Sequence, residues 1–138
     1  MGELWWSDVR EWFDPSDAYL HDGCVVGAGR GGRAAVDGLV QARGWRSEVL
    51  MGGTLAVWPA EGFQVNFLLV EGEDLDFDID VRELQGQDRV DLLGAFLRAV
   101  GQAFGRPVAL AFEGLDPRNV PYLHYDSKAD DFVLDRES

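Results

Sequence analysis

Disulfide bonds within the chain are excluded, because Cys24 is the only cysteine among 138 residues. A reducing compartment and a fold held together by its apolar core are therefore expected. The chain also lacks an apolar run of membrane-spanning length and a basic stretch followed by an apolar run near its amino terminus. These absences predict a cytoplasmic protein that does not enter a membrane.

Positive charge is scarce. Lys and Arg number 12 against 25 Asp and Glu, which gives a formal net charge of −13. Nucleic acids and anionic membranes are bound through Lys and Arg, so the composition argues against both as partners. A basic protein is the partner that such a charge attracts. The alternative is that the acidity only keeps a small chain soluble and monomeric.

Catalytic signatures are missing as well. The chain has no Gly-x-Ser-x-Gly elbow, no Walker loop and no His-Glu-x-x-His sequence. Cys24 with His21 or His124 as its base would make a nucleophile pair, but the flanking Val25 and Val26 favour a buried cysteine. His21 and Cys24 also form half of a zinc pattern without its second half. We therefore expect a binding protein rather than an enzyme, with no cofactor and no metal.

Helical periodicity marks three segments, which we predict over residues 3–13, 33–43 and 88–104. Gly44 and Gly105 are expected to end the second and third helices, and Asp88 to cap the third. The first helix, within residues 1–14, is amphipathic and is expected to pack on the rest of the domain. Its tryptophans (residues 5, 6 and 12) are predicted to lie in the core, with a binding interface as the alternative.

Two-residue alternation of apolar side chains runs from Trp45 to Val81 and predicts an antiparallel meander. Gly52-Gly53 is a hairpin signal within it, and Pro59 is expected to end a strand. Further strands are predicted over the short apolar run 24–26 and over 108–113, 120–125 and 131–134. The whole chain, 1–138, is therefore predicted to form a single α+β domain. Its mostly antiparallel sheet would have five to seven strands, with two or three helices packed on one face.

A glycine-rich turn precedes the second predicted helix, and Gly27, Gly29 and Gly32 satisfy the pattern G-x-G-x-x-G. With its flanks, the stretch 25–51 resembles the first βαβ unit of Rossmann-type flavin and nicotinamide proteins, in which such a turn binds a pyrophosphate. The acid that holds the ribose in that family is absent, and a meander follows instead of further βαβ units. A nucleotide or phosphate ligand bound by this turn, with Arg30 and Arg33, is the alternative function that we retain.

Acidic residues are concentrated before and within one predicted strand, at Glu71, Glu73, Asp74, Asp76, Asp78 and Asp80. Alternation with apolar residues would place Asp76, Asp78 and Asp80 on one face of that strand, where like charges repel each other. Such a face is explained by solvation, by docking of a basic protein or by a divalent metal ion. We interpret Glu73, Asp74 and the three strand aspartates as the partner-binding residues.

A resemblance to known proteins rests on four segments: RGW at 43–45, FDIDVREL at 77–84, GQAFGRPV at 101–108 and PYLHYD at 121–126. Together they resemble small bacterial domains of the kind that serve as immunity proteins in toxin systems. The resemblance implies a cytoplasmic inhibitor that binds a toxin, often a basic nuclease. It identifies no catalytic residue. The sequence leaves the identity of the partner, the order of the strands and the existence of a homodimer open.

Overall fold

The computed structural model describes residues 2–16, 18–68 and 72–135. Within these residues the chain forms eight strands: β1 Leu20–Val25, β2 Arg46–Val49, β3 Leu55–Ala60, β4 Phe63–Leu68, β5 Leu75–Asp80, β6 Val108–Ala111, β7 Leu123–Asp126 and β8 Asp131–Leu134. The helices of the same residues are α1 Trp6–Val9, α2 Gly32–Arg43 and α3 Gln87–Phe104. The predicted α+β class is confirmed, but the sheet has more strands than the five to seven expected.

All eight strands belong to one sheet in the order β2-β3-β4-β5-β1-β6-β7-β8, and each pair of neighbours is antiparallel. Strands β2 to β5 form the predicted meander. Strand β1, which comes first in the chain, lies in the middle of the sheet between β5 and β6. Leu69 and Glu71, which extended the predicted alternation and the acidic run, lie outside the described residues.

The core lies between one face of the sheet and the helices α2 and α3. Phe96 of α3 contacts the rings of Phe67 and Phe77, and the backbone of Gly32 in α2 packs against Leu75. We call this side of the sheet the core face and the opposite side the outer face. Neither these helices nor α1 is long and apolar enough to cross a membrane, as judged from the described part of the chain.

The amino-terminal segment differs from its prediction. Helix α1 has four residues, not the eleven of 3–13, and a turn closed by the bond from Phe13 N–H to the carbonyl of Val9 follows it. The α3 side chain of Gln87 bonds the backbone of this segment on both sides of Trp5, which is 53% exposed. Trp6 and Trp12 are half-buried against the core. The prediction of a core position is therefore wrong for Trp5, because tertiary hydrogen bonds replace helical ones at this point.

Two boundary predictions are also wrong. Pro59 does not end β3, which continues to Ala60, because the register between β3 and β4 shifts at this point and a bulge tolerates the missing N–H. Asp88 does not cap α3. The helix begins at Gln87, after Gly86 with a φ of 101°, and Asp88 occupies its first turn. The predicted ends at Gly44 and Gly105 are confirmed, since both adopt the left-handed conformation there.

Candidate functional site

Three aspartates line the outer face of β5. Phe77 and its apolar neighbours in this strand are buried on the core face, so Asp76, Asp78 and Asp80 point to the other side, as the alternation predicts. Asp76 is exposed, while Asp78 and Asp80 are half-buried. The strand therefore presents a row of carboxylates on the side of the sheet that α2 and α3 leave uncovered.

A fourth aspartate joins this row from the neighbouring strand. Asp22 in β1 pairs with Asp78 in β5, and paired residues of antiparallel strands lie on the same face. Its carboxylate accepts a hydrogen bond of 3.1 Å from the N–H of Gly114. Sequence reasoning missed Asp22 because the polar start of β1 was not recognised as a strand. The signal available was the alternation of His21, Gly23 and Val25 with polar or small residues.

Burial raises the pKa of both Asp76 and Asp78 above the usual value for aspartate. For Asp76, the nearby Arg118 counteracts this effect and other carboxylates add to it. For Asp78, a hydrogen bond of 3.0 Å from the Asn66 side chain counteracts it, and the charge of Asp22 adds to it. Asp22, Asp76 and Asp78 thus form an incompletely compensated group, which we call the acidic cluster.

Asp80 differs from the other two strand aspartates because it has a cation partner. Burial by itself would raise its pKa, but hydrogen bonds from Arg82 outweigh this effect and lower the pKa. The guanidinium lies 2.7 Å from one carboxylate oxygen and also stacks on the ring of Tyr19 at 3.6 Å. The structure therefore places Asp80 beside the acidic cluster but already neutralised.

Asp74 is occupied inside the fold. Its side chain is almost completely buried, accepts a 2.6 Å hydrogen bond from Gly27 N–H and lies 3.0 Å from Arg118. Glu73 is exposed, and its backbone carbonyl accepts from Gly29 N–H. Of the five predicted partner-binding residues, the structure brings Asp76 and Asp78 together with Asp22. It gives Asp74 a structural contact.

The loop between β6 and β7 folds back over part of the outer face. It is anchored to β1 through Gly114 and to the turn before β5 through Arg118. Asp116 holds the Arg118 guanidinium at 3.0 Å. An open groove of about 380 Å³ lies between the loop and strands β4 and β5. Its walls include Asp22, Asp76, Leu68, Leu115, Pro117 and Arg118. The groove combines carboxylates with apolar surface, which suits a cationic side chain with an aliphatic stem.

The glycine-rich turn is packed against another part of the chain. The N–H of Gly27 bonds the Asp74 carboxylate, and the N–H of Gly29 bonds the carbonyl of Glu73 at 3.0 Å. A Cβ atom on Gly29 would overlap the backbone carbonyl of Gly72, so glycine is required there for close backbone packing. Two of the amides that a phosphate would use in a Rossmann-type turn are therefore already bonded within the fold.

The other residues of the alternative ligand site are not gathered around a cavity for an anion. Gly32 is buried, and Arg33 pairs with Asp37 of the next helical turn at 3.2 Å. Arg30 lines an open cavity, but Glu73 and Asp74 line it too. Carboxylates at this position repel a phosphate, so the local charge does not favour the ligand.

Cys24 does not meet a catalytic base. It lies on the outer face and is fully buried, whereas His21 points to the core face of the same strand. His124 lies on the outer face, two strands away through Ala109, which corresponds to about 10 Å. Burial raises the pKa of Cys24 to about 12, with smaller contributions from nearby carboxylates. The thiol is therefore protonated at neutral pH and packs as a small apolar group.

Comparison with known proteins adds no assignment: no family model, curated protein or solved structure matches the chain. Among the residues that the structure describes, no three His, Cys, Asp or Glu side chains are grouped so that they could hold a metal ion.

Proposed function

We propose that this chain is a non-catalytic protein-binding domain that docks a basic partner on the outer face of its sheet. Inhibition of a basic toxin, in the manner of an immunity protein, is the role that the resemblance of the four sequence segments suggests. The acidic cluster would contribute the electrostatic contacts, and the adjoining groove would receive a lysine or arginine side chain of the partner.

A single observation carries this proposal. Within the described residues, no lysine or arginine nitrogen lies within the 4.0 Å ion-pair limit of Asp22, Asp76 or Asp78. Neighbouring carboxylates repel each other, and burial increases the free-energy cost of their charge. A partner cation would relieve both penalties, so the cluster has more to gain from a basic surface than the neutralised Asp80.

The charge of the whole chain supports the same partner. A net charge of −13 attracts basic proteins over distances set by the ionic strength, with a screening length of about 8 Å in physiological salt. Association steered in this way is faster at low salt and slows as salt is added. The proposal thus combines attraction by the whole molecule with contacts at one place on its surface.

The variant Asp76→Asn/Asp78→Asn tests whether binding is local. We expect it to weaken the binding of an oligo-arginine peptide about tenfold relative to the unchanged chain, because it removes two charges from the cluster. Titration calorimetry at low ionic strength measures the affinity. The matched control is Glu3→Gln/Glu11→Gln, which removes the same charge from two exposed positions of the amino-terminal segment. Equal loss in the two variants would show that only total charge matters.

The natural partner is sought with the same pair of variants. Capture from the cells that produce the protein should recover a basic protein with the unchanged chain and with the control, and lose it with Asp76→Asn/Asp78→Asn. Recovery of no basic protein at low salt would contradict the proposal. Recovery with all three proteins would place the binding surface elsewhere on the molecule.

The alternative function, a nucleotide or phosphate ligand on the Gly27–Arg33 turn, predicts a different result. A ligand present at about a hundred times its dissociation constant would stabilise the fold by about 2.7 kcal/mol. Because Asp74 and Glu73 already bond the turn amides, we expect no stabilisation by dinucleotides, nucleoside triphosphates or inorganic phosphate. Thermal unfolding measures this directly, and a reproducible rise in Tm with one of these ligands would favour the alternative function.

A further inference from the structure

Strand β2 forms a free edge of the sheet. Among the residues that the structure describes, it stands at one end of the sheet order and pairs only with β3, and all four of its residues, Arg46 to Val49, are exposed. Proline, charged side chains (lysine above all) and a short length commonly keep sheet edges from pairing. Strand β2 is short but contains no proline or lysine, and its two charges, Arg46 and Glu48, are opposite in sign and could pair across an interface. Beyond it, the hairpin tip exposes the side chain of Met51 almost completely, at 99%. This edge is therefore open to a further strand.

The hydrogen-bond pattern shows which backbone groups the edge offers. Leu50 N–H bonds the carbonyl of Thr54 at 2.7 Å, so these two residues form a hydrogen-bonded pair of the β2–β3 ladder. Hydrogen-bonded and non-hydrogen-bonded pairs alternate along an antiparallel ladder. Arg46 and Glu48 therefore direct their backbone groups to β3, while Ser47 and Val49 direct theirs away from the sheet.

We propose that β2 pairs with β2 of a second copy of the chain, antiparallel about a two-fold axis at Ser47. A new ladder must join residues whose backbone groups point away from the sheet, and in β2 these are the odd-numbered residues. An odd-numbered residue of one copy must therefore lie opposite an odd-numbered residue of the other. With Ser47 opposite Ser47 of the second copy, Arg46 lies opposite Glu48 of the second copy. The symmetry repeats this contact, so the dimer contains two such ion pairs.

Charge favours this register over the two nearest registers that the ladder permits. A shift of the axis to Glu48 would place two glutamates opposite each other, and a shift to Arg46 would do the same with two arginines. Opposite charges across a pair of strands stabilise it and like charges destabilise it. Arg46 and Glu48 also occupy the closer, non-hydrogen-bonded positions of the proposed ladder, where side chains interact most strongly. The Arg46 guanidinium, now stacked on Trp58 at 4.0 Å, already lies on that face.

Apolar contacts follow on the core-facing side. In the same register, Val49 lies opposite Trp45 of the second copy. Val49 is 57% exposed in the single chain, and Trp45 packs against Phe96 beneath it. The dimer would cover apolar surface that the single chain leaves in water. It leaves the acidic cluster on β1 and β5 exposed, so it is independent of the proposed binding of a basic partner.

The test is a charge exchange across the proposed interface. Two chains of charge −13 repel each other, so sedimentation equilibrium is measured in physiological salt, which screens this repulsion. The unchanged chain should show a concentration-dependent dimer. Arg46→Glu and Glu48→Arg should each raise its dissociation constant roughly tenfold or more, because each places like charges opposite each other twice. The double variant Arg46→Glu/Glu48→Arg should restore the dimer.

Three further variants make the result specific. Ser47→Pro removes an outward N–H without disturbing the bonds to β3, and it should abolish the dimer while near-ultraviolet circular dichroism remains unchanged. Arg10→Glu and Glu11→Arg change the net charge by the same amounts as Arg46→Glu and Glu48→Arg, but at exposed positions away from β2. They should leave the dissociation constant of the dimer unchanged. A chain that is monomeric at every concentration overturns the proposal. The proposal is also overturned if Ser47→Pro still forms the dimer, or if the double variant Arg46→Glu/Glu48→Arg does not restore it.

Discussion

Replacement of Phe96 by alanine is expected to lower the free energy of unfolding by about 3–5 kcal/mol. The side chain is only 1% exposed and lies at the centre of an aromatic group formed with Phe63, Phe67 and Phe77. Alanine would leave a cavity between α3 and the sheet that rigid rings cannot fill by small movements. The loss is a large fraction of the about 5–15 kcal/mol by which folded domains are stable.

Denaturant unfolding followed by tryptophan fluorescence measures the loss. The matched control is Phe104→Ala, which removes the same side chain from the end of the same helix, where it is only half-buried. We expect the control to cost clearly less. Similar losses for the two variants would show that the packing between α3 and the sheet does not depend on the central ring.

Acidification is expected to destabilise the fold through His21. The imidazole is 1% exposed, its Nδ1 atom lies 2.7 Å from the Tyr122 hydroxyl, and the ring of Phe13 packs edge-on against it. Burial lowers the pKa of His21 to about 4, from 6.5 in the unfolded chain. The unfolded state therefore binds the proton first as the pH falls. Stability that is complete above pH 6.5 is lost progressively towards pH 4, by up to about 3 kcal/mol.

Unfolding curves at several pH values between neutrality and pH 4 test this prediction against His21→Gln. The difference in unfolding free energy between the two proteins should shrink or reverse as the pH falls. Asp76 and Asp78, with their raised pKa values, contribute in the opposite direction, but they do so equally in both proteins. His124→Gln removes the other histidine, which is half-exposed, and serves as the control. If the unfolding free energies of the unchanged chain and of His21→Gln changed in parallel with pH, the role given to His21 would be contradicted.

Much of the fold was predictable because it depends on local pattern. The alternation between Trp45 and Val81 predicted the meander β2–β5, since a strand with one buried face must repeat every two residues. Gly44 and Gly105 predicted the ends of α2 and α3, since glycine adopts the left-handed conformation without a Cβ clash. The same alternation placed Asp76 on the outer face.

The errors lie where distant segments decide local structure. Strand β1 escaped recognition in its first half, because His21 is stabilised by Tyr122, which lies about a hundred residues further along the chain. Gly23 is used in this strand because the Phe77 ring occupies the space of a side chain. Pro59 remains within β3 because a bulge accommodates it. The distant partners in these contacts cannot be identified from the neighbouring sequence.

By itself, the sequence determined the fold class, the carboxyl-terminal ends of α2 and α3, the meander and the acidic row on one strand face, because each follows from spacing along a short segment and from the sterics of single residues. The tertiary structure alone decided that β1 enters the centre of the sheet and brings Asp22 to Asp78. It also decided that Asp74 bonds the glycine-rich turn and that the backbone of Gly72 packs against it. Such decisions depend on which remote surfaces pack together, and the free energy of that packing is not contained in any one stretch of the chain.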